Sequence, residues 1–217
     1  MKVEQNFLKI QDYYLQRYYF RKVILETLPL KCDILGTGEE RRTLPDSVVR
    51  WKKEEISMSE RAFQDYYPDE LSYCYGCGRL NDQGLRLKSH WDGEETVAIF
   101  APRSYHIAIP GYVYGGLIAS IIDCHATGTA SAAAYRAEGR EMGTEPPLRF
   151  VTASLHVEYV RPTPLGVDLE VRGKIKEIKG RKVVISATVS AAGEVCAKGE
   201  VVAVKMPEQM MPKSKSV

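Results

Sequence analysis

The sequence predicts an α+β domain in which an antiparallel sheet wraps around one long central helix, preceded by an N-terminal helical extension. Three observations carry this. Residues 114–137 form a single run of small and aliphatic residues with no proline and no turn cluster, long enough for one helix. Four segments after it read as strands, each with one apolar face. The links between those strands, 162–166, 179–181 and 192–193, are of hairpin length, which argues for antiparallel pairing. A helix apolar on most of its surface, among strands that each need one face covered, is buried most economically when the sheet wraps around it.

The elements follow in order along the chain. Residues 7–28 are helix-like, with Phe7, Ile10, Tyr14, Tyr18, Leu25 and Leu28 at spacings of three, four or seven, and Pro29 closes the segment. Its crowded aromatics fit a face docked on the main domain or on a partner subunit. Residues 36–57 are charged and turn-rich and read as a linker. The expected division is therefore an extension over 1–57 and a main domain over 58–217, with Met58 a second or natural start site. Residues 85–91 and 96–101 form an expected strand pair around Asp92-Gly93, followed by an irregular loop to Pro110. Beyond the helix, strands are expected over 149–160, 167–178, 182–191 and 194–205. The second alternates, with Val167, Leu169, Val171 and Ile175 on one face and Asp168, Glu170, Arg172, Lys174 and Lys176 on the other.

One residue of the helix does not belong to an ordinary core. Asp123 sits among Leu117, Ile118, Ile121 and Ile122, where a carboxylate loses hydration on folding. Gly115 and Gly116 open the helix, where the first turn leaves amide donors unpaired. Together they suggest an oxyanion site and an acid/base group. Gly115 and Asp123 are eight residues apart, or ~12 Å of helical rise, so one helix cannot bring both to one reacting carbon. If both act at one centre, they come from two copies of the chain.

Composition narrows the class of function. At 217 residues with 44% hydrophobic content the chain can bury a substantial core. Thirty basic and twenty-eight acidic residues leave a charge of +2, too balanced for a nucleic-acid-binding face. Residues 1–57 hold eleven basic and nine acidic residues, so the rest carries no net charge. Five cysteines form an odd set, which suits reduced thiols in a cytoplasm better than a disulfide framework. No apolar run approaches the ~20 residues that span a bilayer, and the first residues are too charged for a secretory signal, so no membrane is expected as a partner.

Four motifs follow one another over residues 74–205: Cys74-Tyr-Gly-Cys77-Gly78, Pro110-Gly111-x-Val113-x-Gly115-Gly116-Leu117-Ile118-Ala119 leading to Asp123, Thr152-x-x-Leu155-x-Val157-x-Tyr159-x-Arg161-Pro162-x-x-Leu165-Gly166, and Gly180-Arg181-Lys182. In this ordered set the chain resembles the PaaI-type acyl-CoA thioesterases, a hot-dog-fold group that includes the mammalian thioesterase-superfamily members. The resemblance implies that a backbone amide of Gly115 or Gly116 polarises the thioester carbonyl. An acid at the place of Asp123, from the other subunit, then activates water or attacks directly, and Thr152 helps position it. It also implies an acyl-CoA substrate, no separate cofactor, and a homodimer or homotetramer. The chain departs from the group at Tyr114, where His is usual, and at Ala108, where some members carry Asn; a phenol can still donate a hydrogen bond but is far less basic.

Other residues carry paired readings. Asp123 could instead be ion-paired or capped by hydroxyls, and the glycine pair could serve close packing. Cys74 and Cys77 have zinc-like spacing, but a second pair is missing from the sequence, so reduced structural thiols and no metal are expected. His125 points away from Asp123 and reads as a packed histidine. His156 shares strand parity with Thr152 and could line the same face, as substrate-binding residue or satisfied sheet polar group. Arg149, Arg161 and Arg181 are candidates for coenzyme A phosphates. The expected function is hydrolysis of an acyl-CoA to free acid and coenzyme A. The alternatives are a non-catalytic acyl-CoA-binding protein and a hydratase or dehydratase of the same fold using His106 with Asp123.

Overall fold

A computed structural model describes residues 61–211. The expected helix over 7–28, the linker over 36–57 and Met58 lie outside the described residues. Among the described residues there are one α-helix, α1 (Gly115–Ala137), three short 3-10 helices, and eight strands: β1 (His90–Asp92), β2 (Glu95–Phe100), β3 (Ile107–Ile109), β4 (Tyr112–Val113), β5 (Phe150–Tyr159), β6 (Leu169–Lys179), β7 (Lys182–Ala191) and β8 (Glu194–Lys205). Six of them make one sheet in the order β1-β2-β6-β7-β8-β5, every pair antiparallel, and β3-β4 form a separate hairpin. α1 packs against β2, β5, β6, β7 and β8, so the sheet curls around it as the patterning requires.

The helix is apolar nearly all round. Leu117, Ile118, Ile121, Ile122, Cys124 and Ala126 are all buried, at consecutive angles about the axis. Facing them, Val171, Ile185, Val189, Val201 and Ala203 supply the inner side of the sheet. Two glycines let the sheet come close. A Cβ on Gly199 of β8 would sit 2.7 Å from Ile122 Cγ2, and one on Gly173 of β6 would sit 2.6 Å from Thr96 Oγ1. Gly199→Ala is therefore expected to destabilise the domain by about 1–3 kcal/mol, the usual cost of overpacking a filled core, checked as a lowered denaturant midpoint with an unchanged slope.

The alternation expected in the second late strand is present: Leu169 and Val171 are buried, while Arg172 on the other face pairs with Asp92 and Glu170 at 2.8 Å. Two elements differ from expectation. The first strand begins at His90, not at 85, because the Leu85 and Leu87 amides donate to the carbonyls of Tyr75 and Gly76 at 2.7 and 3.0 Å. Arg86 between them turns into the left-handed region at φ 53°, which no continuous strand allows. The segment before Pro110, expected to be irregular, contains half of the β3-β4 hairpin, closed by Gly111 at φ 88°. Among the described residues no helix is long and apolar enough to cross a membrane.

Candidate functional site

The site is built on one stripe of α1. Gly116, Ser120, Asp123 and Thr127, spaced four, three and four apart, form with Gly115 and Ala119 a half-buried stripe beside the buried Leu117, Ile118, Ile121, Ile122 and Cys124. Ser120 and Thr127 donate back to the carbonyls of Gly116 and Asp123 at 2.8 and 3.1 Å. The stripe runs beside β5, the edge strand of the sheet, which touches it at both ends. Tyr159 O–H donates to Gly115 O at 2.7 Å, and Thr152 O–H donates to the Asp123 carboxylate. This periodicity of small and polar residues inside an apolar helix is legible in the sequence, and points to the one side of α1 that its own sheet leaves open.

Thr152 reaches Asp123 because β5 bulges. Its register against β8 shifts between Thr152 and Ser154, and the extra residue re-aims the strand. The same bulge corrects an expectation. His156 does not share the face of Thr152: Thr152 lies opposite Ala203, which faces the core, whereas His156 lies opposite exposed Glu200. His156 is therefore on the outer surface, and an alternation counted without the bulge assigns it to the wrong side.

Electrostatics single out Asp123. Burial raises its carboxyl above the ordinary range, the Thr152 hydrogen bond opposes that, and the nearby Cys74 sulfur adds to the rise. At the other end of the stripe, Leu117 N–H is bonded to Tyr114 O at 3.0 Å, and the amides of Gly115 and Gly116 precede this first intrahelical bond. The Tyr114 ring lies over Gly116, where a Cβ would come within 2.4 Å of it, and is itself 58% exposed. Tyr159, to which the sequence reading gave no role, contacts Gly115 with its ring and hydroxyl.

The remaining candidates are scattered. Arg161 pairs with Glu194 at the start of β8, whereas Arg181 donates to Lys205 O at its end, 3.2 Å away. With β8 between them, they stand roughly 35 Å apart along the strand, so one chain does not gather both on one ligand. Arg149 stacks on the Tyr67 ring at 3.2 Å. His106 stacks on Phe100 at 5.7 Å between centroids and accepts the Arg103 N–H at 3.0 Å, and burial with the Arg103 charge lowers its basicity. It lines a cleft of about 320 Å³ with Tyr75, Leu85, Arg86, Phe100 and Arg103. His125 is fully buried, with ring nitrogens 2.9 Å from Ser89 Oγ and 3.0 Å from Thr96 Oγ1.

Cys74 and Cys77 gain a partner that spacing did not reveal. Cys124, one residue past Asp123, brings its sulfur within 4.8 Å of both. These three are the residues of this region that could hold a metal ion.

Comparison with known proteins places the site in a family context. The profile of the Thioesterase superfamily matches residues 110–198, the stretch that carries the glycine pair, Asp123, Thr152 and Tyr159. The chain is 32% identical over 145 residues to the acyl-coenzyme A thioesterase THEM4 of Mus musculus, covering 67% of this chain and 53% of that protein. It is 34% identical over 93 residues to the corresponding Xenopus laevis protein, covering 43% and 36%. The chain thus spans about half the length, or less, of these curated relatives. Among solved structures, a thioesterase superfamily protein from Shewanella loihica PV-4 shares 51% identity with a TM-score of 0.50, over 65% of this chain and all of that one.

Proposed function

We propose that this chain, which belongs to the thioesterase superfamily, hydrolyses an acyl-CoA thioester to free acid and coenzyme A at a site shared between two copies. The observation that carries the reading is the half-buried Asp123, held by the Thr152 hydroxyl and displaced toward its protonated form, on a helix that opens with a glycine pair. The mouse and frog relatives are named as acyl-coenzyme A thioesterases, which supports the substrate class. In this mechanism the amide of Gly115 or Gly116 stabilises the oxyanion of the tetrahedral intermediate. Asp123 of the partner acts as general base on water or as nucleophile, with Thr152 aligning it. Tyr114 donates through its phenol beside the oxyanion. No separate cofactor is used.

Two features support the shared site. Glycine pair and acid lie on the same helix about 12 Å apart in rise, so each needs its counterpart from elsewhere. β5 is an open edge with Leu155 and Tyr159 exposed at 38% and 52%, next to the uncovered stripe of α1. An isologous pairing of two β5 edges covers both at once and sets the glycine pair of one copy toward the acid of the other. Arg161 and Arg181, distant in one chain, then serve coenzyme A phosphates from different protomers. Residues 58–217 form the catalytic unit of this reading, and its reduced thiols suit the cytoplasm.

The test is thiol release from short, medium, long and aryl acyl-CoAs, with a mixing arm. Gly116→Val and Asp123→Asn chains are each expected to be inactive alone and to regain activity when unfolded together and refolded, since mixed dimers restore one intact site. No cleavage of any acyl-CoA would leave an acyl-CoA-binding protein as the better reading, and turnover without complementation would place the whole site in one chain.

A further inference from the structure

Three sulfur atoms converge between the loop preceding β1 and helix α1. Cys74 and Cys77 come from the loop and Cys124 from the helix, all within 4.8 Å of one another, with Cys74 Sγ 3.6 Å from Cys124 Sγ. A disulfide would hold the sulfurs at ~2.05 Å, and all three cysteines are free. Thiolates bonded at ~2.3 Å to one tetrahedral ion stand ~3.8 Å apart, close to the 3.6 Å between Cys74 and Cys124, and the other pairs lie within 4.8 Å.

The loop is shaped to this convergence. A Cβ on Gly76 would sit 2.2 Å from Cys124 Sγ, so any other residue there would take the space of the sulfur. A Cβ on Gly78 would come within 2.6 Å of the Cys74 and Ser72 backbone, and Gly78 N–H closes the turn on Cys74 O at 2.8 Å. An apolar contact between a loop and a helix asks for none of this.

We propose that Cys74, Cys77 and Cys124 bind one thiophilic divalent cation of the zinc class, leaving its fourth position on the exposed side at Cys74. Three thiolates select a soft ion over magnesium or calcium. The pairing that sequence spacing lacked is completed by the helix, because the third ligand lies 47 residues downstream of Cys77. The ion would clamp the loop to α1 directly beside Asp123, so its effect is to fix the helix at the candidate acid. The proposal does not depend on the thioesterase reading.

The experiment uses the full chain, reduced, stripped with a chelator and kept anaerobic, then titrated with cobalt(II). The expected result is a thiolate-to-cobalt charge-transfer band that saturates at one ion per chain and is abolished by one equivalent of zinc. Cys74→Ser, a change at an exposed position, should lose most of the band, while Cys32→Ser and Cys196→Ser should keep it. In a second reading, zinc should slow alkylation of Cys74, Cys77 and Cys124, located by peptide mapping, and leave Cys32 unchanged. No charge-transfer band in the unsubstituted chain, or a band indifferent to Cys74→Ser, overturns the proposal, and both outcomes are separable from any failure to hydrolyse acyl-CoA.

Discussion

Asp123→Asn is expected to lower thioester hydrolysis by about 10²–10⁴-fold, the range for a lost general base, while leaving the protein at neutral pH at least as stable as before. The two effects have one cause. Burial raises the Asp123 carboxyl above the ordinary range despite the Thr152 hydrogen bond, so the ionised form the chemistry needs is disfavoured by the fold. An acid raised in the folded state stabilises below its unfolded pKa, near 3.8, and loses that contribution as pH rises through the folded value. At pH 7 the charge is therefore a cost, and the neutral amide, which still accepts from Thr152, removes it. Thermal unfolding should show the variant's advantage at pH 7 shrinking as pH approaches 4. Thr152→Val should push the carboxyl further up, moving the acid limb of the activity profile to higher pH, whereas Thr152→Ser should not. Undiminished hydrolysis by Asp123→Asn, or a lower melting temperature at pH 7, would sink this account.

What the sequence made legible was whatever depends on local period and turn chemistry. The late strands, their wet and dry faces, the helix, and the turns at Gly93, Gly180 and Gly193, all at positive φ, follow from alternation and from residues tolerant of that backbone. Asp123 stood out because an acid in an apolar helix is costly wherever the helix packs. The misses depend on contacts between distant segments. The bulge in β5 arises where the strand meets both β8 and α1, and it alone decides that Thr152 faces Asp123 while His156 faces out. β1 starts late because the 85–87 backbone finds carbonyls in the 75–76 turn, a pairing with no sequence period. Cys124 joined Cys74 and Cys77 only through tertiary packing, and Tyr159 acquired a partner only because β5 ends beside the first turn of α1.

Lowering the pH from 6.5 to 4 is expected to remove about 3 kcal/mol of folding stability through His125 alone. Its ring is fully buried, and burial depresses its basicity from the ordinary 6.5 to about 4. One consistent donor assignment explains why the ring stays neutral. Gln64 Nε2 donates to Ser89 Oγ at 3.2 Å and Ser89 O–H to His125 Nδ1 at 2.9 Å. His125 Nε2–H then donates to Thr96 Oγ1 at 3.0 Å, Thr96 O–H to Thr129 Oγ1 at 2.6 Å, and Thr129 O–H to the His125 carbonyl at 2.9 Å. A proton on Nδ1 would meet the donated hydrogen of Ser89 and reverse the chain as far as Gln64, in a place water does not reach. For a histidine depressed in the folded state, the stability is present above the unfolded pKa of 6.5 and is lost as pH falls through about 4, at ~1.4 kcal/mol per pH unit. His125→Leu leaves Ser89 and Thr96 with their other partners, Gln64 and Thr129. That variant should be weaker at pH 7 by about 1–3 kcal/mol yet flatter between pH 6.5 and 4, so the two stability curves converge or cross on the acid side. Urea unfolding of both proteins across that window, with chelator present so that no metal contributes its own pH dependence, decides it. Parallel curves would mean that His125 carries no proton linkage, and that the acid sensitivity of the domain lies in another group.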